Sequence, residues 1–136
     1  MRIMTNKLFF ILFAFIGLFF YACKDKTYSQ GGRLYSAHCA NCHMEDGKGL
    51  AKLIPPLANS DYLRLNQDLI PCIIRHGQTG EITVNGVVYD QVMLGEKYSD
   101  TQINNMINYI NTAWGNKIPP VIITQTKERL ETCESK

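Results

Sequence analysis

Apolar positions divide this 136-residue chain into two unlike parts. Residues 8–20 form an apolar run broken only by Gly17. Past residue 22 the apolar residues are spaced, and their spacing predicts elements. Residues 30–40 read as a helix, and a short helical piece starts at Ser60-Asp61. Another helix covers residues 68–76, with Pro71 tolerated in its first turn and Gly77 as its stop. Residues 82–89 carry Asn85-Gly86 between β-branched neighbours, the signature of a two-residue hairpin turn. Ser99-Asp100-Thr101-Gln102 is a capping box that opens the last main helix. There Ile103, Met106, Ile107, Ile110, Ala113 and Trp114 recur at helical spacing, and Gly115 ends the run. Residues 124–131 read as a terminal helix.

The leading run is an export signal by its length. A membrane-spanning helix needs about 20 apolar residues, whereas a signal core needs about 7–15. Arg2 and Lys7 precede it, and Phe20-Tyr21-Ala22-Cys23 follows with Lys24-Asp25-Lys26 behind. A small residue before a cysteine at this point resembles a bacterial lipoprotein lipobox. The resemblance implies cleavage after Ala22 and acylation of Cys23, giving a lipoprotein on the periplasmic side of a bacterial membrane. Residues 1–22 are then the signal peptide, 23–30 a tether and 31–136 the folded domain. The alternative is an uncleaved anchor or a plain secretory signal, with Cys23 incidental.

Composition sharpens the picture of that domain. The chain is 46% hydrophobic, yet all six phenylalanines lie before residue 21. The domain is therefore lean in large core side chains, too small for a multidomain enzyme and unlike a polytopic membrane protein. Lys and Arg total 14 against 12 Asp and Glu. Arg2 and Lys7 account for that excess, so the domain is close to neutral. No basic cluster suggests nucleic acid.

The cysteines carry the chemistry. Cys39-Ala40-Asn41-Cys42-His43 is a C-x-x-C-H motif. Two thiols at this spacing each add across one haem vinyl group, and the adjoining imidazole ligates the iron. A thioredoxin-type site would want a strand before the motif, where a helix is read instead. A zinc site would want a second ligand pair at matching spacing, and Cys72 and Cys133 stand singly. Those two are an even pair in an oxidising compartment, either bonded as a clamp on the C-terminal segment or free.

Two motifs at complementary ends extend the argument. Gly31 and Tyr35 stand before the first cysteine, and Met106 and Tyr109 lie in the last main helix. With C-x-x-C-H, this pattern resembles the class I c-type cytochromes (mono-haem) over about residues 31–115. The resemblance implies an all-α cytochrome c fold with a small β-hairpin, three to five helices around one covalently bound haem c. Asp46-Gly47-Lys48-Gly49 and Ile54-Pro55-Pro56-Leu57 resemble the family's glycine loop and proline. By that resemblance the Pro55 carbonyl, or Pro56 one residue on, accepts the proton of His43's other nitrogen.

The family's sixth ligand is a methionine in a loop before the final helix. Met44 adjoins His43 and cannot reach the opposite face of the iron. Met106 lies on the inward face of the last helix. Met93 is then the expected axial ligand, opposite His43. Leu94 follows it where the family usually has proline, a departure that could weaken the iron–sulfur bond. Leu53, Leu57, Val92, Ile107 and Ile110 are expected around the haem, and Tyr62, Tyr89 or Tyr98 could bond a propionate. His38 and His76 read as surface residues.

With both axial positions filled, the expectation is electron transfer without catalysis or a small-molecule substrate. The leading form is a membrane-anchored carrier shuttling between respiratory redox-partner proteins. One alternative is a dedicated cytochrome subunit of a dehydrogenase, reductase or oxidase. Another is a haem ligand sensor or peroxidase, should Met93 not hold the iron.

Overall fold

A computed structural model describes residues 28–134. Its elements are α1 (Ser29–His38), α2 (Ala40–His43), α3 (Asp61–Leu65), α4 (Ile70–His76) and α5 (Asp100–Thr112), with α6 (Ile123–Glu134) last. Between α4 and α5 lie four short strands, β1 (Gly77–Gln78), β2 (Ile82–Val84), β3 (Val87–Tyr89) and β4 (Met93–Leu94). They form two antiparallel pairs, β2 with β3 as the hairpin and β1 with β4. The six α-helices of the described residues exceed the three to five expected. The excess is the single turn α2, read in the sequence as part of the first helix.

α1 crosses α5 at Gly31. A Cβ there would strike the Asn105 carbonyl and the Tyr109 side chain, so only glycine lets the two backbones approach this closely. One turn on, Tyr35 is fully buried and faces Tyr109 with ring centroids 5.4 Å apart. Ile103, Met106 and Ile107 on α5 are also fully buried, and Ile70 and Ile74 of α4 join the same core. The helical spacing of α5 thus builds the centre of the molecule. Its N-terminus carries the full capping box, with Ser99 and Gln102 each bonded to the other's backbone.

Some boundaries differ from expectation for local reasons. α1 begins at Ser29, inside the stretch read as tether, and stops at His38 rather than at residue 40. Cys39 forms a kink, and Ala40 starts the new turn α2. α5 stops at Thr112, because Trp114 adopts a left-handed conformation (φ 52). Its indole turns back onto Tyr35, 4.9 Å between centroids, and its Nε1–H donates to the Glu45 carbonyl at 2.9 Å. That aromatic packing outweighs the few kcal/mol a left-handed residue costs.

Residues 116–134 wrap the outer side of α5. Asn104 and Asn108 donate to the Val121 carbonyl at 2.8 and 2.9 Å, and Val121 N–H returns a bond to Asn108 Oδ1 at 2.7 Å. Asn111 exchanges bonds with Gln67. Asn104 also donates to Thr126 Oγ1, a fully buried residue of α6. Cys72 on α4 and Cys133 on α6 form a disulfide.

Candidate functional site

The one-turn helix α2 carries the last cysteine and the histidine of the motif. Its start is held by the preceding helix, with Cys39 N–H donating to the Tyr35 carbonyl at 2.8 Å. Tyr35 then anchors its end, because the buried phenol donates to the Met44 carbonyl at 2.6 Å. Burial pushes the Tyr35 phenol well above its ordinary range, so it remains a proton donor. The helix crossing thereby fixes the backbone on which His43 stands.

His43 is buried, and its Nδ1 lies 3.0 Å from the Pro55 carbonyl oxygen. A carbonyl only accepts, so Nδ1 carries the proton and donates it. Nε2 is left with its lone pair, the tautomer that a metal needs. Burial lowers the imidazole's pKa, partly offset by the Pro55 bond. The ring is therefore neutral over a wider acidic range than a free histidine.

Pro55 is placed by a closed loop. The Gly47 carbonyl accepts from Leu57 N–H at 2.7 Å and from Ala58 N–H at 2.9 Å, and Leu50 bridges Ile54. Asn116 ties this loop to the end of α5, donating to the Leu57 and Ile110 carbonyls and accepting from Asn59 N–H. That second support was not read from the sequence. A lone asparagine after a helix-ending glycine carries no distinguishing pattern.

Cys39 and Cys42 are unpaired thiols, the first partly buried and the second exposed. The Cys39 thiol is pushed up to about 11, by burial first and then by the Glu96 carboxylate. Glu96 also stands 3.9 Å from His38, whose ring meets Tyr98 edge-on. The end of α1 thus lies beside the segment that leaves β4. His38 and His76 are both exposed.

Met93 is half-buried in β4 and pairs with Gln78, while Leu94 pairs with Gly77 and is 82% exposed. The short β1–β4 pair therefore fixes the Met93 backbone. Met106 is fully buried in the α5 core. The side chains expected around the haem separate into two groups. Ile107 and Ile110 belong to the buried core, and Leu57 packs against it. Leu53 and Val92 are exposed, as are Leu50, Leu65 and Leu69. Of the three tyrosines, Tyr89 is buried in the hairpin, and Tyr62 and Tyr98 are half-buried.

This donor set fits a haem. Two unpaired thiols precede one buried imidazole whose second nitrogen is already committed. Exposed aliphatic side chains would be covered by a large apolar plane.

Comparisons with known proteins agree. The family described as cytochrome c matches residues 28–114. A cytochrome c-552 of Thermus thermophilus is 33% identical over 92 residues, 64% of this chain and 70% of that protein. The cytochrome c subunit of a quinone alcohol dehydrogenase from Gluconacetobacter polyoxogenes is 33% identical over 96 residues. The match covers 68% of this chain but 20% of that subunit. The corresponding subunit of Gluconobacter oxydans is 28% identical over 107 residues, 76% of this chain and 22% of that protein.

Proposed function

The chain belongs to the cytochrome c family, whose work is electron transfer, and from that premise we propose a lipid-anchored, mono-haem respiratory carrier with His43 and Met93 as axial ligands. The observation that carries the ligand assignment is the His43–Pro55 bond, which leaves Nε2 unprotonated on the residue that directly follows the free thiol of Cys42. Haem supplies the one-electron iron couple. Cys39 and Cys42 would hold it by thioether bonds at the junction of α1 and α2. His43 would be held in one orientation by Pro55, so that little reorganises when the charge changes. Met93 would supply a soft thioether, which raises the reduction potential.

Anchoring rests on Cys23, which lies outside the described residues together with the signal peptide and most of the tether. Among the described residues no helix is long and apolar enough to cross a membrane. Mass spectrometry of the mature N-terminus tests this part. A diacylated Cys23 supports the anchor, and an unmodified residue following Ala22 refutes it.

The ligand set is tested on the purified, oxidised holoprotein. We expect the weak long-wavelength absorption of an iron–methionine bond, lost in Met93→Ala. A wild-type spectrum that is high-spin and shifts readily with cyanide or carbon monoxide would overturn Met93. It would favour a ligand sensor or peroxidase instead.

A second reading is a dedicated subunit of a dehydrogenase, reductase or oxidase complex. The exposed apolar residues Val88 of β3 and Leu94 of β4 favour it, since a permanent partner would cover them. The alcohol dehydrogenase relatives are themselves named as cytochrome c subunits. Co-purification of a stoichiometric oxidoreductase from membranes would support this reading over the free carrier.

A further inference from the structure

Residues 116–134 lie beyond the family match, which ends at residue 114. Their attachments converge on one helix. Through the buried bonds of Asn104, Asn108 and Thr126, α6 and the segment before it are fastened to α5. From this base α6 reaches α4 by the Cys72–Cys133 disulfide, and it reaches the residue two before α4 by the Arg129–Asp68 ion pair at 2.9 Å.

α4 in turn is the support of the Met93 strand. It ends at Gly77, whose φ of 88 suits glycine alone, and the chain passes directly into β1. Gly77 pairs with Leu94 and Gln78 with Met93. A Cβ at Gly77 would strike the Met93 carbonyl, and one at Gly95 would strike the His76 and Arg75 backbone. The two backbones are thus in contact, with no side chain between them to absorb a shift. Arg75 on α4 also pairs with Asp100 at 2.6 Å, gripping the chain just past β4.

We propose that the Cys72–Cys133 clamp is a positioning device for the distal ligand. It holds α4 from its outer side, and α4 fixes the backbone of Met93. Cys72 and Cys133 are positioning residues and touch no haem. The proposal rests on the reading of Met93 as an axial ligand. Leu94 adds to the case, because it stands where the family's proline would restrict the loop from within. Here the restriction comes from outside, through a segment that the family match does not include.

The physical consequence is a population effect. Without the clamp, α4 keeps its core contacts through Ile70 and Ile74, the Arg75–Asp100 pair and the neighbouring Arg129–Asp68 pair, but loses its covalent tie to α6. The fraction of molecules with Met93 away from its ligating position then rises. The apparent affinity of the iron for a competing ligand rises by the same factor.

Imidazole titration of the oxidised holoprotein measures that factor. Cys72→Ser/Cys133→Ser is compared with wild type, with Met93→Ala, and with Val84→Ala. Val84 is buried in the hairpin and serves as a destabilised control that leaves α4 alone. We expect imidazole to bind the double serine variant about tenfold more tightly than wild type, with a weakened iron–methionine absorption. Val84→Ala should bind imidazole as wild type does. An unchanged affinity in the folded double variant overturns the proposal. So does an equal shift in Val84→Ala, which would mean general loosening. If Met93→Ala matches wild type in spectrum and affinity, the ligand assignment itself fails and takes this proposal with it. Should the serine pair not accumulate, Cys72→Ala/Cys133→Val fills the space without the bond and takes the same measurement.

Discussion

Asn108 is a buried amide within α5, the longest helix among the described residues, with both ends of its side chain in use. Its Nδ2 donates to the Val121 carbonyl and its Oδ1 accepts from the Val121 N–H. Truncation strands the Val121 N–H, while the Val121 carbonyl keeps its Asn104 donor, and an unsatisfied buried polar group costs about 1–3 kcal/mol. Asn108→Ala should therefore lower unfolding stability by about 2 kcal/mol in a urea titration. A loss near zero would show that water replaces the amide. The sequence hides this role, since Asn104, Asn108 and Asn111 look like the solvated side of an amphipathic helix. Only the docking of residues 116–134 makes that side an interior. Gly31 is the opposite case, legible because its spacing from Tyr35 and Cys39 is a family pattern. In Gly31→Ala the added methyl meets the Asn105 carbonyl and must part α1 from α5. Overpacking of this kind costs about 1–3 kcal/mol, and differential scanning calorimetry should show the corresponding drop in Tm.

At the scale of elements, the readable features were those specified locally. The Ser99–Gln102 box, the Asn85-Gly86 turn, Pro71 in the first turn of α4 and the Gly77 stop each need only their neighbours in sequence. The β1–β4 pair was not readable. Two-residue strands show no periodicity, and their pairing depends on α4 bringing Gly77 to Met93. The same holds for the kink at Cys39, which separates α1 from the turn bearing His43. The disulfide between α4 and α6 spans 61 residues, and closing a loop of that length constrains the unfolded chain by about 4 kcal/mol. Cys72→Ser/Cys133→Ser should lose a stability of that order in guanidinium unfolding. A change below about 1 kcal/mol would indicate that the asparagine contacts alone hold α6 in place.

Across the whole molecule, the apolar surface and the missing phenylalanines belong to one problem. No phenylalanine lies beyond residue 20, and the largest fully buried side chains include one tyrosine and several of modest size. Meanwhile Leu50, Leu53, Leu65 and Val92 are between 47% and 71% exposed. A domain this small has little margin, and apolar side chains that face water contribute nothing to it. A covalently held porphyrin would be the largest apolar body in the fold, stabilising the native state because it binds that state and constrains the chain. Cys39→Ala/Cys42→Ala removes the attachment without touching the helix crossing or the His43–Pro55 bond. A covalently held haem stays on the unfolded chain, so its contribution comes from the apolar area that its faces bury on folding; about 4 kcal/mol of such burial corresponds in a domain near this size to at least about 15 °C in Tm. The alanine pair should therefore melt that much lower than the holoprotein, and over a broader transition by circular dichroism. A sharp transition at the holoprotein's own temperature would mean that the helices and the C-terminal clamp suffice. The lean core would then need another explanation.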